Sequence, residues 1–215
     1  MNNTQYSQNG QDLFVLKKLN YKRNGYFVEI GVGDGIHISN TYLLEKDYGW
    51  TGILCESNKN KYDSILKKRK CKLLTDPIYS VSNMEVEFSY SSIDDLSGIS
   101  EYLETSFSRF HKEIVKKEKM RTMSLNDALE SENAPKNIDY ISVDTEGSEL
   151  EILSTFSFDK YNVKIWTIEH NEKYRSDGKE YKEKLINFMV PHGYKYEFIE
   201  NDLCFYKETK IKVFI

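Results

Sequence analysis

Short apolar runs rich in β-branched and aromatic residues alternate with amphipathic stretches along most of the chain. The runs predict seven strands, over residues 26–30, 52–56, 71–74, 138–143, 163–169, 194–199 and 203–206. The amphipathic stretches predict helices over residues 39–47, 59–69, 146–155 and 179–188. Strands that are separated by helices and lack strict polar alternation are usually buried on both faces. The pattern therefore indicates a parallel sheet in an α/β fold.

The end of the chain departs from this alternation. Only Glu200, Asn201 and Asp202 separate the last two runs, which is too short for a crossover between parallel strands. We therefore expect a C-terminal antiparallel hairpin in a mostly parallel seven-stranded sheet.

Residues 90–120 fit the pattern poorly. A small strand over 86–89 precedes them, and the charged run 116–119 (KKEK) predicts the end of a surface helix. Long insertions in α/β folds often lie at the rim that faces the ligand, so this segment is either a lid or a solvated helix. Residues 1–24 are predicted as an N-terminal helical cap of one single domain, 1–215.

Composition and charge narrow the class of protein. The 215 residues include 30 basic and 34 acidic ones, and the net charge of −4 disfavours a dedicated nucleic-acid binder. No apolar run approaches the length of a transmembrane helix and the first residues do not resemble a signal peptide, so we expect a cytoplasmic protein. Cys55, Cys71 and Cys204 are widely spaced, which predicts reduced thiols.

A glycine-rich turn follows the first predicted strand. Gly31, Gly33 and Gly35 stand there, whereas the dinucleotide-binding pattern G-x-G-x-x-G would need a glycine in place of Ile36. With the acidic Glu29 inside the strand, this spacing favours S-adenosylmethionine, which carries a cationic sulfonium and ammonium, over a dinucleotide with its pyrophosphate. The alternative is a purely structural turn between strand and helix.

Acidic residues follow the second and third predicted strands. Glu56 lies 23 residues after Gly33, where a carboxylate can accept hydrogen bonds from a ribose, and Ser57 is predicted beside it at the cofactor. The alternative is that Glu56 helps to cap the next helix. Asp76 stands where the adenine amino group can be recognised, or else in an Asp-Pro turn with Pro77.

Six segments, in order along the chain, carry a recognisable family pattern. They are 7–12 (SQNGQD), 25–31 (GYFVEIG), 39–46 (SNTYLLEK), 49–53 (GWTGI), 139–149 (DYISVDTEGSE) and 168–171 (IEHN). In these segments the sequence resembles the FkbM-type methyltransferases, a branch of the Rossmann-like class I fold that uses S-adenosylmethionine. The resemblance implies methyl transfer, most often to a hydroxyl of a sugar or natural-product scaffold, in polysaccharide or glycolipid assembly. It also implies that Gln11, Asn40 and Thr41 bind the cofactor and that Gln8 binds the substrate.

A second set of polar residues follows the fourth and fifth predicted strands, at the edge where open α/β sheets bind ligands. Asp144 and Glu146 come after one strand, and Glu169, His170 and Asn171 come at the end of the next. Methyl transfer to a hydroxyl requires removal of its proton, which a side chain with a pKa near 7 does best, so His170 is predicted as the general base. Glu169 or Asp144 would orient it, while Glu146 and Asn171 are predicted at the substrate.

Some roles in this set stay open at the level of sequence. Asp144 is predicted as a base, a substrate anchor or a contact to the methionine amino group. The same residues would suit a divalent metal with oxygen ligands, although we expect the site to work without one. We expect a small-molecule or sugar-nucleotide acceptor and no nucleic acid. The alternatives are a non-catalytic module with this fold, a methyltransferase for a non-sugar small molecule, and a nicotinamide-dependent oxidoreductase.

Overall fold

A mixed β-sheet flanked by helices makes up most of the computed structural model, which describes residues 5–93, 96–105 and 112–208. The strands are β1 (Tyr26–Ile30), β2 (Thr51–Cys55), β3 (Lys72–Leu74), β4 (Ile78–Tyr79), β5 (Glu85–Ser91), β6 (Gly98–Ile99), β7 (Ile114–Arg121), β8 (Met123–Ser124), β9 (Asn137–Val143), β10 (Asn162–Glu169), β11 (Lys195–Ile199) and β12 (Asp202–Tyr206). The helices are α1 (Gln11–Lys18), α2 (Tyr42–Tyr48), α3 (Tyr62–Lys68), α4 (Ser100–Thr105), α5 (Leu125–Ser131), α6 (Glu149–Ser154) and α7 (Gly178–Met189).

The main sheet has seven strands in the order β11-β12-β10-β9-β1-β2-β3. β12 is antiparallel to both of its neighbours, and the remaining strands run parallel to one another. This confirms the predicted α/β, Rossmann-like fold with its C-terminal hairpin. The chain moves outward from β1 to β3 and then returns to β9 on the other side of β1. The strand order therefore reverses beside the carboxyl end of β1, where ligands bind in open sheets of this kind.

Both faces of the sheet are buried, as the apolar runs predict. Along β1, Val28 packs into one hydrophobic cluster with Trp166, whereas its neighbour Phe27 packs into a second cluster on the opposite face. Leu16 of α1 belongs to this second cluster, so the N-terminal helix is docked on the sheet. The sheet is thus covered on both faces, and the polar residues of interest follow the ends of its strands.

A separate three-stranded sheet, in the order β6-β5-β7, replaces the predicted charged helix. The prediction of a helix ending at 116–119 is wrong, because this run lies in β7, paired antiparallel with β5. Its charges are accommodated on the exposed face by cross-strand pairs, from Lys119 to Glu85 at 2.7 Å and from Lys117 to Glu87 at 2.8 Å. The small strand predicted at 86–89 is confirmed within β5. Part of the predicted lid, residues 94–95 and 106–111, lies outside the described residues.

The N-terminal segment is held against the loop that follows the glycine turn. Ser7 forms an isolated parallel bridge with Ile38. Asp12 fixes Ser7 by accepting hydrogen bonds from its Oγ at 2.6 Å and from the Tyr6 N–H at 3.0 Å. Across the described ranges, no helix is long and apolar enough to cross a membrane.

Candidate active site

The glycine turn after β1 takes a conformation that only glycine allows there. Gly31 has a φ of +81°, and a Cβ on it would lie 1.9 Å from the carbonyl oxygen of Asp144. Gly33 also has a positive φ, of +59°. The absence of a side chain at Gly31 lets the ends of β1 and β9 approach each other.

A cleft lies at the carboxyl edge of the sheet and is partly open to solvent. Its lining comes from the glycine turn, the segment 56–58, the segment 144–146 and the small sheet, which contributes Phe88, Gly98 and Ile99. The cleft thus has a polar wall along the sheet edge and a partly apolar wall from the small sheet.

Glu56 stands in the cleft at the end of β2, as predicted. Its Oε2 accepts hydrogen bonds from the backbone N–H groups of Val32 at 3.1 Å and Gly33 at 2.9 Å, and its Oε1 accepts from Asn58 N at 2.7 Å. Burial raises the pKa of Glu56, and these donors oppose the shift. The carboxylate is therefore fixed against the glycine turn, at a position where it can also meet a ribose.

The other residues predicted beside the adenosine differ in their positions. Ser57 lines the cleft. Asp76 is exposed, and the described residues that line the cleft include its neighbours Pro77 and Ile78 but not Asp76 itself. Asp76 therefore lies beside the described lining of the cleft, and its contact with the adenine stays a prediction.

Glu29 is buried beneath the loop 39–41 and does not belong to the described lining of the cleft. Its carboxylate accepts hydrogen bonds from Ser39 Oγ at 3.0 Å, Asn40 N at 2.6 Å and Thr41 Oγ1 at 2.5 Å. Burial raises the pKa of Glu29, and the nearby Arg69 guanidinium opposes this shift. Glu29 and Thr41, both predicted at the cofactor, therefore hold the loop that follows the glycine turn.

Sequence reasoning missed Arg69, which completes this buried network. Its guanidinium donates to Thr41 Oγ1 at 2.8 Å and to Ser39 Oγ at 3.1 Å, and it pairs with Glu45 at 2.6 Å. Arg69 comes at the end of α3, in a run of basic residues, so the sequence contains no signal that distinguishes it from its exposed neighbours. Asn40 in turn donates to Ser142 Oγ at 2.9 Å, which ties the loop to β9.

The carboxyl ends of β9 and β10 bring three predicted acids together. One carboxylate oxygen from each of Asp144, Glu146 and Glu169 lies within 4.8 Å of the others. The register explains this: Val143 pairs with Ile168, so Asp144 and Glu169 follow at neighbouring strand ends. Burial, together with the charges of Asp144 and Glu146, raises the pKa of Glu169 well above its ordinary value. We call these three residues the acidic cluster.

Glu149 fixes the loop that carries two members of the acidic cluster. Its Oε1 accepts hydrogen bonds from Thr145 N and Gly147 N, both at 3.0 Å, and its Oε2 accepts from Tyr181 O–H at 2.6 Å. The turn itself depends on Glu146, which has a φ of +60°. Sequence analysis did not assign this role to Glu149. The only local signal for it is an acidic residue two positions after Gly147.

His170 lies outside the acidic cluster, and its predicted role as the general base stays a prediction. Its Nδ1 accepts a hydrogen bond from the Glu172 N–H at 3.1 Å, and its Nε2 is shielded from solvent with no partner in the described part of the chain. Burial and the charge of Lys182 lower the pKa of His170 to about 4. The described lining of the cleft does not include His170. Asn171, by contrast, reaches the cluster and donates to Glu146 Oε2 at 3.3 Å.

The amides of the N-terminal segment meet β12 rather than the cleft. Gln11 and Asn9 donate to Asp202 Oδ2 at 2.7 Å and 3.2 Å. Asp202 pairs across the sheet with Glu169, and burial raises the pKa of Asp202 to about 6. Gln8 is exposed. Gln11, predicted at the cofactor, therefore anchors the N-terminal segment beside the acidic cluster, and Asp202 is a residue that the sequence did not single out.

These features define the class of protein. The sheet has seven strands, one of them antiparallel and inserted between two others. A glycine turn follows β1 and a carboxylate follows β2. This is the architecture of an S-adenosylmethionine-dependent methyltransferase of the class I fold. The sequence over residues 29–196 matches the methyltransferase FkbM domain, and the chain belongs to this family. The predicted family, enzyme class and cofactor are thereby supported.

Comparison with solved structures finds other methyltransferases at low sequence identity. A precorrin-6y C5,15-methyltransferase from Geobacter metallireducens has a TM-score of 0.49 and 12% identity over 92% of this chain and 87% of that one. A methyltransferase from Pyrococcus furiosus has a TM-score of 0.45 and 13% identity over 97% and 87%. A SAM-dependent methyltransferase from Aquifex aeolicus has a TM-score of 0.42 and 9% identity over 94% and 93%. Comparison with curated proteins finds no match.

Proposed function

We propose that this methyltransferase acts on a hydroxyl group of a sugar, a sugar nucleotide or a glycan precursor. The observation that carries the proposal is the acidic wall of the cleft, which contains Asp144 and Glu146 beside the glycine turn, with a carboxylate oxygen of Glu169 within 4.8 Å of theirs. Ionised carboxylates accept hydrogen bonds and do not donate them, so this wall suits an acceptor that presents several hydroxyl donors.

The cofactor end of the cleft supports S-adenosylmethionine as the methyl donor. We propose that the backbone at Gly31 and Gly33 contacts the ligand and that Glu56 receives its ribose hydroxyls, with Ser57 beside it. A Cβ at Gly31 would meet the backbone of Asp144, so the close approach of these two segments needs a glycine. When bound, S-adenosylmethionine supplies a methyl group activated by a positively charged sulfur.

The chain's own residues must then hold the acceptor hydroxyl in line with the methyl group and its sulfur, and they must take the proton of that hydroxyl. We propose Asp144 for the proton transfer, because it lines the cleft next to the glycine turn, whereas His170 does not. Glu146, held by Asn171, is proposed to bind a second hydroxyl of the acceptor.

The small sheet supplies the wall that would select among acceptors. Phe88 and Ile99 are buried apolar residues of this wall, and Ser97 adds a hydroxyl. A sugar ring has apolar C–H faces and a polar rim, so a wall of this kind opposite an acidic one suits it. This complementarity is the second support for a sugar acceptor over a flat apolar molecule.

The test is an incubation of the purified chain with labelled S-adenosylmethionine and a panel of acceptors, followed by mass spectrometry. The panel contains sugar nucleotides, free sugars, catechols and small amines. We expect a methyl ether on a sugar-containing acceptor and a loss of about a hundredfold or more in Asp144→Asn. Glu130→Gln is the matched control, because Glu130 is exposed in α5, at the opposite edge of the sheet. Methylation confined to catechols or amines would contradict the sugar assignment.

A further inference from the structure

One serine of the small sheet lies at the cofactor end of the cleft. Ser97 directly precedes β6 and lines the cleft. Its Oγ accepts a hydrogen bond from Asn58 Nδ2 at 3.3 Å. Asn58 is joined in turn to Glu56, because Asn58 N donates to Glu56 Oε1 at 2.7 Å. Ser97 therefore lies beside the segment that carries the carboxylate proposed for the ribose.

The hydroxyl of Ser97 has one remaining hydrogen-bonding capacity, which is to donate. A serine hydroxyl has two lone pairs and one proton. Ser91 N donates to Ser97 Oγ at 3.1 Å and Asn58 Nδ2 donates to it as well, so both lone pairs are occupied. The orientation of the Asn58 amide is fixed, because its Oδ1 accepts from Asn60 N at 3.1 Å. Within the described ranges no group accepts from the Ser97 O–H, which leaves this donor available to a ligand in the cleft.

Contacts on both sides position Ser97 between the two walls of the cleft. Lys59 Nζ pairs with Glu118 Oε2 of β7 at 2.7 Å, which is an exposed second link between the segment after β2 and the small sheet. On the other side, a Cβ on Gly98 would lie 3.1 Å from the carbonyl oxygen of Thr145. The start of β6 therefore packs closely on the loop that follows β9, and the Ser97 donor is held at the cleft by its neighbours in sequence and in space.

We propose that Ser97 donates a hydrogen bond to a ribose hydroxyl oxygen of S-adenosylmethionine, an inference that rests on the ribose-binding role proposed for Glu56. A ribose hydroxyl has one proton and two lone pairs. The Glu56 carboxylate accepts from three backbone N–H groups and, like any ionised carboxylate, can only accept, so it takes the proton of the hydroxyl. The oxygen of that hydroxyl then needs a donor. Ser97 supplies one from the opposite wall, and the small sheet becomes part of the cofactor site.

This role distinguishes Ser97 from the apolar residues of the same wall. Phe88 and Ile99 line the cleft as well, but their side chains offer no polar atom to the ribose. They remain available to the acceptor, as proposed above. The small sheet would then serve both ligands, with its polar start at the cofactor and its apolar side chains at the acceptor.

Calorimetric titration of the purified full chain with S-adenosylhomocysteine tests the contact. We expect Ser97→Ala to weaken binding about three- to tenfold, which is the usual effect of one lost hydrogen bond. Ser97→Cys nearly keeps the size of the side chain and donates only weakly, so it is the second variant in case Ser97→Ala disturbs the fold. Ser92→Ala is the matched control: Ser92 is an exposed serine just after β5 that donates to Glu113 and lies outside the described lining of the cleft.

The 2′-deoxy and 3′-deoxy forms of S-adenosylhomocysteine separate a direct contact from a structural effect. If Ser97 donates to one ribose oxygen, the wild type and Ser97→Ala should bind the form that lacks this oxygen equally well. The difference between the two proteins should persist with the other form. Unchanged affinity for S-adenosylhomocysteine in Ser97→Ala and Ser97→Cys, or an equal loss with all three ligands, would overturn the proposal.

Failure of the proposed function gives a different result. Binding of S-adenosylhomocysteine requires no acceptor, so methylation confined to catechols or amines would refute the sugar assignment and leave the Ser97 contact standing. Unchanged affinity in Glu56→Ala would refute the role of Glu56, while the two deoxy forms would still decide whether Ser97 contacts the ribose.

Discussion

Gly31→Ala tests how the glycine turn joins two strands of the sheet. The added Cβ would lie 1.9 Å from the carbonyl oxygen of Asp144, which is far inside van der Waals contact. The φ of Gly31 is +81°, a conformation that costs an L-residue about 1–2 kcal/mol. The backbone at the ends of β1 and β9 must therefore move apart to accept even the smallest side chain.

The cost of this movement follows from the hydrogen bonds at the turn. Asp144 N donates to Ile30 O at 3.0 Å, and Gly31 N donates to Cys55 O at 2.9 Å. Each such bond contributes about 1 kcal/mol to stability. Their loss, added to the conformational strain, predicts a decrease of about 3–4 kcal/mol in the free energy of unfolding.

Gly193 offers a matched control for the strain alone. Its φ is +86°, and no described atom lies within 4 Å of the Cβ that alanine would add. Gly193→Ala should therefore cost only about 1–2 kcal/mol. Urea unfolding, followed by the fluorescence of the buried Trp50 and Trp166, measures both variants. If Gly31→Ala is no less stable than Gly193→Ala, the steric argument is refuted.

Three further predictions concern single side chains. Glu56→Ala should weaken S-adenosylhomocysteine binding by about 1–3 kcal/mol in calorimetry, because hydrogen bonds to a charged group are lost; unchanged affinity in a folded variant would contradict the ribose assignment. His170→Gln should keep more than about a tenth of the turnover, because the described cleft lining does not include His170; a hundredfold loss at unchanged cofactor affinity would restore it as the base. Asp202 has a pKa raised to about 6 by burial, so the folded state holds its proton more tightly than the unfolded state. Its contribution to stability is present below about pH 4 and is lost as the pH rises to about 6. In urea unfolding, Asp202→Asn should therefore gain stability relative to the wild type between pH 4 and 6; a constant difference across that range would contradict the burial argument.

The strands of the main sheet could be predicted from the sequence because their signal is local. The run 26–30 coincides with β1, and the other six runs differ from the observed strands by one residue at the ends. The hairpin of β11 and β12 followed from the shortness of its connection. The same approach gave a wrong prediction for the segment 116–119, because its charged residues are compatible with a surface helix and with an exposed paired strand. Its pairing with β5 decided between the two.

The residues around the site also divide into those that the sequence predicts and those that only the tertiary structure places. The glycine turn and Glu56 were predictable, because spacing along the chain alone places them at two adjacent strand ends. The function of Glu29 was not, since its carboxylate is taken up by the loop 39–41 and by Arg69, which lies 40 residues away in sequence. The link between Gln11 and Asp202 spans 191 residues. Such contacts depend on which elements pack together, and no local pattern encodes them.

His170 and Glu169 illustrate the physical reason most clearly. They are adjacent in sequence at the end of one strand, where successive side chains point to opposite faces. The sequence predicted that both lie at the ligand-binding edge of the sheet, and it predicted the class of chemistry. Only the packed fold turned Glu169 toward Asp144 and Glu146 and left His170 buried against the backbone of Glu172. A pKa depends on burial and on neighbouring charges, both of which arise from long-range packing, so the roles of the two residues were decided in three dimensions.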